Sequence, residues 1–442
     1  MEQQVNLVVR GALVVTMDAD EQILAQGGVA IAGSEIVEVG DGTALSERYP
    51  AAEQLHEPHG LLMPGLINTH THAAMTCFRG LADDLPLMEW LQTHIFPIEA
   101  QLTAEVVHQS ALLSCCEMIR SGTTSFCDMY LFAAEVARAA ELAGMRAWTG
   151  EVLYDFPSPS YGELEQGFAW TEALLDRYHD HALITPTVDP HAVYTCAPEL
   201  LTRLAGIAEQ HDALYVLHLS ENREETALCE QRYGCRPVGH LEKLGILNER
   251  VVAAHCVEVN DDEAALLARR GVKVALCPES NMKLASGVAP VQRFQNTGLD
   301  MGLGTDGAAS NNDVDLFGEM ATAARLHKVF TLDPTVMDAA TTLKCATRGG
   351  AKVLAAADRI GSLEAGKAAD LIVLDMHQPH LTPMYNPVSH LVYAARGSDV
   401  LHSIINGQLV MRDRHLLTLN EKAILHTMAE IAATIRKHRD SS

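Results

Sequence analysis

Between residues 61 and 306, short apolar runs alternate with stretches of helical character, and no other feature of the chain restricts its fold so strongly. LLMPGLINT, GTTSFCDM, MRAWTGEVLY, ALITPTVD, ALYVLHLS, RVVAAHC, GVKVALCP and DMGLGTD read as eight strands. Segments such as PELLTRLAGIAEQH, and DDEAALLARR closed by Gly271, read as the helices between them. Eight such units make a (β/α)8 barrel, although an open doubly wound sheet would show the same alternation.

The flanks have a different texture. VNLVVRGALVVTMD and GGVAIAGSEIVEVG are β-branched runs broken by Gly11 and Gly33-Ser34, a hairpin pattern. ADLIVLDM and VLHSIINGQLVMRD repeat it at the far end, with Asn406-Gly407 as the turn. The predicted architecture is therefore α/β: a distorted TIM-type barrel plus a small β-sandwich built from both termini. Residues 1–60 form its N-terminal part, 61–360 the barrel, and 361–442 its C-terminal part with a final helix, NEKAILHTMAEIAATIRKHRD.

Charge and cysteine usage narrow the function classes. A net charge of −25 argues against nucleic acid or an anionic membrane surface as partner, since both require basic patches. The start MEQQVNLVVRG lacks a secretory leader's basic segment and apolar core, and no uninterrupted apolar stretch is long enough to span a bilayer. The ten cysteines include no C-x-x-C pair and lie mostly in apolar runs, where a thiol behaves as a small hydrophobe. Together these features predict a reduced, cytoplasmic protein.

In a barrel the chemistry gathers where strands end. Those ends carry His70 and His72, His218, His255 and Asp306, each directly after an apolar run. His70 and His72 stand two apart on a strand and so share a face. A lone histidine is ordinarily a hydrogen-bonded core or surface residue, and His56, His59, His179 and His181 read that way. Five residues repeating one context instead predict a shared metal site. Three imidazoles and a carboxylate suit zinc, leaving a position for a water whose pKa the ion lowers. Glu221, three residues after His218, fits equally a proton carrier beside the metal or a cap for the helix ENREETALCEQ. Gly302–Gly307 also matches G-x-G-x-x-G, but it follows the last strand and would aim Asp306 at a pyrophosphate. The paired H-x-E and P-C-x-x-C signature of nucleic-acid-editing deaminases is not met, since P-C-x-x-C is absent.

The HTH of the first strand, HLSEN, the histidine of VVAAHC and TDG, in that order, resemble the amidohydrolase superfamily. PGLINTHTHAAMTCFRG, PESNMKLASG and GSLEAGKAADLIVLD extend the resemblance over most of the chain, toward the superfamily's adenosine-type deaminases. The group acting on 5′-methylthioadenosine and S-adenosylhomocysteine is most similar, with guanine deaminases and chlorotriazine hydrolases as relatives.

That resemblance implies a metal held by His70, His72, His218 and Asp306: one zinc per subunit, with iron or manganese as substitutes. It implies that Glu221 protonates the purine ring nitrogen beside the attacked carbon. His255 and Asp306 would orient and deprotonate the water, Asp306 then passing a proton to the departing ammonia. Trp90 and Glu99 match positions that cover the substrate and bind the ribose hydroxyls, and His191 matches a further substrate contact; an ordinary aromatic on a helix face is the plain alternative for Trp90. No lysine in LITPTVD could be carbamylated to bridge two metals, which favours a mononuclear site. The family's habit implies a homo-oligomer, dimer or tetramer.

The expected substrate is a small nucleoside, with 5′-methylthioadenosine yielding 5′-methylthioinosine and ammonia. No Lys or Arg occurs between Arg146 and Arg177, while Glu151, Asp155, Glu163 and Glu165 do, so an apolar methylthio tail suits EVLYDFPSPSYG better than a carboxylate. S-adenosylhomocysteine, adenosine, guanine or a chlorotriazine are the alternative substrates. An inactive structural relative would have lost a ligand, and none is lost here.

Overall fold

The computed structural model describes residues 4–439. Its centre is a ring of parallel strands: Leu66–Thr71, Thr123–Tyr130, Arg146–Leu153, a fourth in two pieces (Ile184–Pro186 and Asp189–Pro190), Tyr215–Leu219, Val251–His255, Lys273–Leu276 and Met301–Leu303. Neighbours pair in parallel around the ring. Pro186 and Pro190 interrupt the fourth strand because they bring no N–H to the ladder. Single parallel bridges, Val188 to Tyr215 and Ala192 to His218, carry the sheet on from there. The ring closes between first and last strands, where Asp306 N–H donates to His70 O (3.0 Å) and the Asn68 amide clasps Thr305. The barrel reading therefore holds, and the open sheet is set aside.

The helices form where their caps predict. Asn260 and Glu263 make a reciprocal capping box for Asp261–Arg270, and Gly271 ends that helix in the left-handed conformation (φ 72°). Pro198–Gln210 follows the expected span with proline in its first turn.

The two termini meet in one nine-stranded sheet. Glu53–Pro64 runs parallel to Leu7–Val15 on one side and antiparallel to Leu371–Asp375 on the other. The sheet folds back on itself around a core that includes Val9, Ile31, Leu62, Leu371, Val373 and Ile404. Its two hairpin tips touch: a Cβ on Gly407 would sit 1.8 Å from Gly33 O. Asn406 and Gly407 both take positive φ (52° and 74°), as a tight hairpin turn requires.

One boundary differs from the sequence reading. Residues 61–64 belong to this terminal sheet and not to the first barrel strand, because Leu61–Pro64 pair with Leu371–Leu374. The chain crosses over at Gly65, where a Cβ would meet Thr124 at 2.1 Å. Among the described residues, no helix is long and apolar enough to cross a membrane.

Candidate active site

The strand ends deliver their polar residues to one point. One ligand atom from each of His70, His72, His218 and Asp306 lies within 4.8 Å of all the others. His72 Nε2 is 3.0 Å and His70 Nε2 3.6 Å from Asp306 Oδ1, and His218 Nε2 is 3.3 Å from His72 Nε2. Backbone carbonyls aim two of these rings: His72 Nδ1–H donates to Met129 O (2.5 Å) and His218 Nδ1–H to His191 O (2.8 Å). With Nδ1 protonated, each ring presents the lone pair of Nε2 inward, as a metal ligand must. Ser280 and Ser310 donate to Asp306 Oδ2 (2.6 and 2.9 Å), leaving Oδ1 for the centre.

The donor set fits a divalent ion. His70 is wholly buried and its Nε2 has no hydrogen-bond partner, an arrangement that is costly unless something is bound there. Burial pushes the His70 ring down to about 4. Burial acts the same way on His72, but the Asp306 carboxylate outweighs it and raises that ring to about 9. Three nitrogens and one carboxylate oxygen compete for one small volume, and a cation relieves them all. A second group, Glu57, His402 and Asp413, is spaced similarly. There, however, His402 Nδ1 accepts Asp413 N–H (3.1 Å), so Nε2 carries the proton that it gives to Glu57 (3.0 Å). That ring has no lone pair left for an ion.

Strand ends turn sharply to bring these groups inward. Ser220, His255 and Asp306 have φ of 52°, 70° and 58°. Left-handed backbone costs an L-residue roughly 1–2 kcal/mol, and such strain concentrates at functional sites. His255 Nδ1–H donates to Asn281 Oδ1 (3.0 Å), and its buried Nε2 is left without a partner, facing the cavity.

The two readings of Glu221 separate cleanly. Asn222 caps the helix Arg223–Tyr233, its Oδ1 accepting Glu225 N–H (2.8 Å). Glu225 takes the N–H groups of Ser220 and Glu221 (3.0 and 2.7 Å). The Glu221 carboxyl is thus free of capping duty and lines the cavity, and burial raises its pKa.

A cavity of about 620 Å³ leads outward from the cluster. Trp90, Glu99 and His191 all line it. Trp90 sits in a π-helical turn, Trp90–Ile95, with its indole N–H on Ala82 O (3.1 Å). The buried Glu99 accepts a hydrogen bond from Tyr130 OH (2.6 Å), and burial raises its pKa. Burial pushes His191 down to about 3, and its Nδ1 lies 2.8 Å from Thr195 Oγ1. Lys283 donates to Asp83 (2.5 Å) and to Asn312.

Met129, Ser280, Asn281 and Ser310 serve this site without having been singled out from the sequence. PESNMKLASG had flagged the neighbourhood of Ser280 and Asn281 without assigning them a task.

The amidohydrolase family model matches residues 61–410. A 5-methylthioadenosine/S-adenosylhomocysteine deaminase of Syntrophobacter fumaroxidans is 54% identical over 98% of both chains. A 5'-deoxyadenosine deaminase of Methanosarcina barkeri is 45% identical over 97% of this chain and 98% of its own. Among solved structures, a zinc-bound adenosine deaminase of Xanthomonas campestris superposes with a TM-score of 0.95 at 38% identity, covering 98% of this chain and 99% of that one. The match spans the barrel with all four ligand positions and the terminal-sheet strands Leu371–Asp375 and Val400–Ile405, and on this ground the chain belongs to the amidohydrolase family.

Proposed function

We propose that the chain hydrolyses the 6-amino group of an adenine nucleoside, with 5′-methylthioadenosine going to 5′-methylthioinosine and ammonia. The observation that carries this reading is the placement of Glu221 and the unpartnered Nε2 of His255 beside the four-ligand cluster, with Glu99 lining the same cavity. Deaminases among the relatives support it.

His70, His72, His218 and Asp306 hold one zinc ion per chain. Bound there, the ion supplies Lewis-acid activation of a water at neutral pH. The residues do the rest. Glu221, whose carboxyl burial shifts toward the protonated form, gives its proton to the ring nitrogen next to the amino-bearing carbon. His255 presents Nε2 to the water, Asp306 accepts one proton of the water and passes it to the leaving amine, and Glu221 takes the remaining hydroxyl proton as the carbonyl forms. One water is consumed and one ammonia released. Glu99 pairs with the ribose diol, His191 contacts the substrate and Trp90 covers it. We assign the enzyme to the cytoplasm as a homo-oligomer.

The test is ammonia release, with zinc supplied, from methylthioadenosine, adenosine and guanine, and chloride release from a chlorotriazine in parallel. The two nucleosides turn over and the others do not; release from guanine or the triazine alone would overturn the reading. Glu99→Ala lowers kcat/KM for nucleosides about tenfold to hundredfold, since a charge-assisted pair to the diol is lost, and spares bare adenine. Equal loss on adenine would refute the ribose assignment. Asn281→Ala frees the His255 ring and lowers kcat about tenfold with zinc content unchanged, a loss typical when a supporting hydrogen bond is removed. Metal analysis beside steady-state rates reads both effects.

A further inference from the structure

One buried acid behind the metal cluster has no part in the chemistry above. Glu319 stands in the first turn of the helix Leu316–Thr331, with none of its surface exposed. Among the described residues, no cation forms an ion pair with it. Burial, with the Glu279 carboxylate nearby, raises its pKa well above the usual carboxylate range. A carboxyl in such a place lowers stability unless hydrogen bonds take up its oxygens.

Those oxygens go to two different loops. Oε1 accepts the side-chain N–H of Asn311 (2.6 Å), and Oε2 accepts the backbone N–H of Glu279 (3.3 Å). Asn311 directly follows Ser310, and Glu279 directly precedes Ser280. These are the two serines that donate to Asp306 Oδ2, and their hydroxyls lie 3.0 Å apart. One carboxyl thus holds the chain beside both hydroxyl donors of Asp306. Thr322, one turn further along the same helix, adds a second grip by donating to Glu279 Oε1 (2.6 Å). Asp315 fixes the helix start, accepting N–H from Phe317 (2.9 Å) and from Gly397 (3.2 Å).

Helix capping accounts for only half of this. Glu279 N–H lies in the first turn of the short helix Pro278–Lys283, where amides lack partners within the helix. Capping gives Oε2 a use and leaves the Asn311 contact unexplained. Asn311 also donates to Thr305 O (2.8 Å), but Asn68 and His70 already fix the backbone at Thr305 and Asp306. What Glu319 alone joins is the pair of loops that carry the serines. Asn281, which holds the His255 ring, rides on the same short helix.

We propose that Glu319 is a positioning residue for the metal centre: it locks together the loops after the seventh and eighth barrel strands, so that Ser280 and Ser310 keep Asp306 Oδ1 turned toward the ligand cluster. This rests on the reading of Asp306 as a zinc ligand.

The experiment measures zinc affinity by chelator competition on wild type, Glu319→Gln, Ser280→Ala/Ser310→Ala and all three changes combined. Glutamine keeps the shape but offers one acceptor where two are used. Glu319→Gln weakens zinc binding about tenfold to hundredfold, the range for losing a partner that orients a ligand. At saturating zinc it lowers kcat about tenfold, with KM for methylthioadenosine within about twofold. On the serine double variant the same change costs less than about twofold in affinity, because no hydroxyl pair is left to aim. Unchanged affinity in Glu319→Gln, or losses that simply add in the combined variant, would overturn the proposal. Hydrogen–deuterium exchange on metal-free protein gives a readout independent of the ion. Glu319→Gln speeds exchange in Pro278–Lys283 and in residues 305–312 and leaves the rest of the barrel as it was. A rise spread over the whole barrel would reduce Glu319 to general support and overturn its assigned role. If wild type binds no zinc, the ligand reading of Asp306 fails instead, and exchange still judges Glu319: loosening confined to the two loops supports the lock, and no loosening overturns it.

Discussion

Glu221→Gln lowers kcat for an adenine nucleoside about 10³-fold while the protein keeps its zinc, a loss in the range general acids contribute. Glutamine has the shape and can donate a hydrogen bond, but it has no proton to give away. The carboxyl is suited to the task because its surroundings are buried, which raises its pKa and favours the protonated form. It stands apart from the four ligand atoms, and the helix-capping duty that could explain it falls to Asn222 and Glu225. Metal analysis and steady-state kinetics on the same preparation check the expectation. A variant that retained even a tenth of wild-type kcat would mean that another group protonates the ring.

Asp306→Ala removes both metal and activity. Its Oδ1 approaches His72 and His70, and its Oδ2 is held by Ser280 and Ser310, so the carboxylate is placed to be a ligand with a fixed orientation. We expect zinc to fall well below one per chain after dialysis and kcat/KM to drop at least about 10⁴-fold, as when a unit of joined catalytic groups loses a member. Thermal unfolding gives a second readout. Ligand at a thousandfold over its Kd stabilises a folded protein by about 4 kcal/mol, so added zinc raises the wild-type Tm and leaves the variant's unmoved. The pair of variants separates two losses: Glu221→Gln keeps the ion and loses the proton, whereas Asp306→Ala loses the ion itself. Full zinc content in Asp306→Ala would remove Asp306 from the ligand set.

Legibility in the sequence followed the chemistry of each contact. His70, His72, His218, His255 and Asp306 could be read because each is a rare polar residue ending an apolar strand, and barrel geometry converges such ends. The carbonyls of Met129 and His191, which aim two of the ligand rings, could not, since every residue has a carbonyl and only the fold decides where it points. Ser280 and Ser310 are similarly silent, two hydroxyls among many. The even choice at Glu221 turned on which of two glutamates four residues apart caps the turn, a matter of side-chain direction. The acids from Glu151 to Glu165 were visible as charges, but their targets, two backbone amides and an arginine among them, were not. The strand break at Gly65 escaped because an apolar run looks the same whichever sheet it pairs with.

That strand break bears on when the site can come into being. His70 and His72 lie just past the crossover at Gly65, and the stretch that leads to them, Leu61–Pro64, is flanked on one side by Leu371–Leu374. On the ribosome the first ligands emerge early, yet their lead-in strand lacks one edge until more than three hundred further residues have been made. Contacts this distant in sequence form late, after the loop between them has been ordered. A nascent chain therefore carries its first two ligand histidines long before it carries the strand Leu371–Asp375 that flanks their lead-in. The residues that speak first are the last to be held in place.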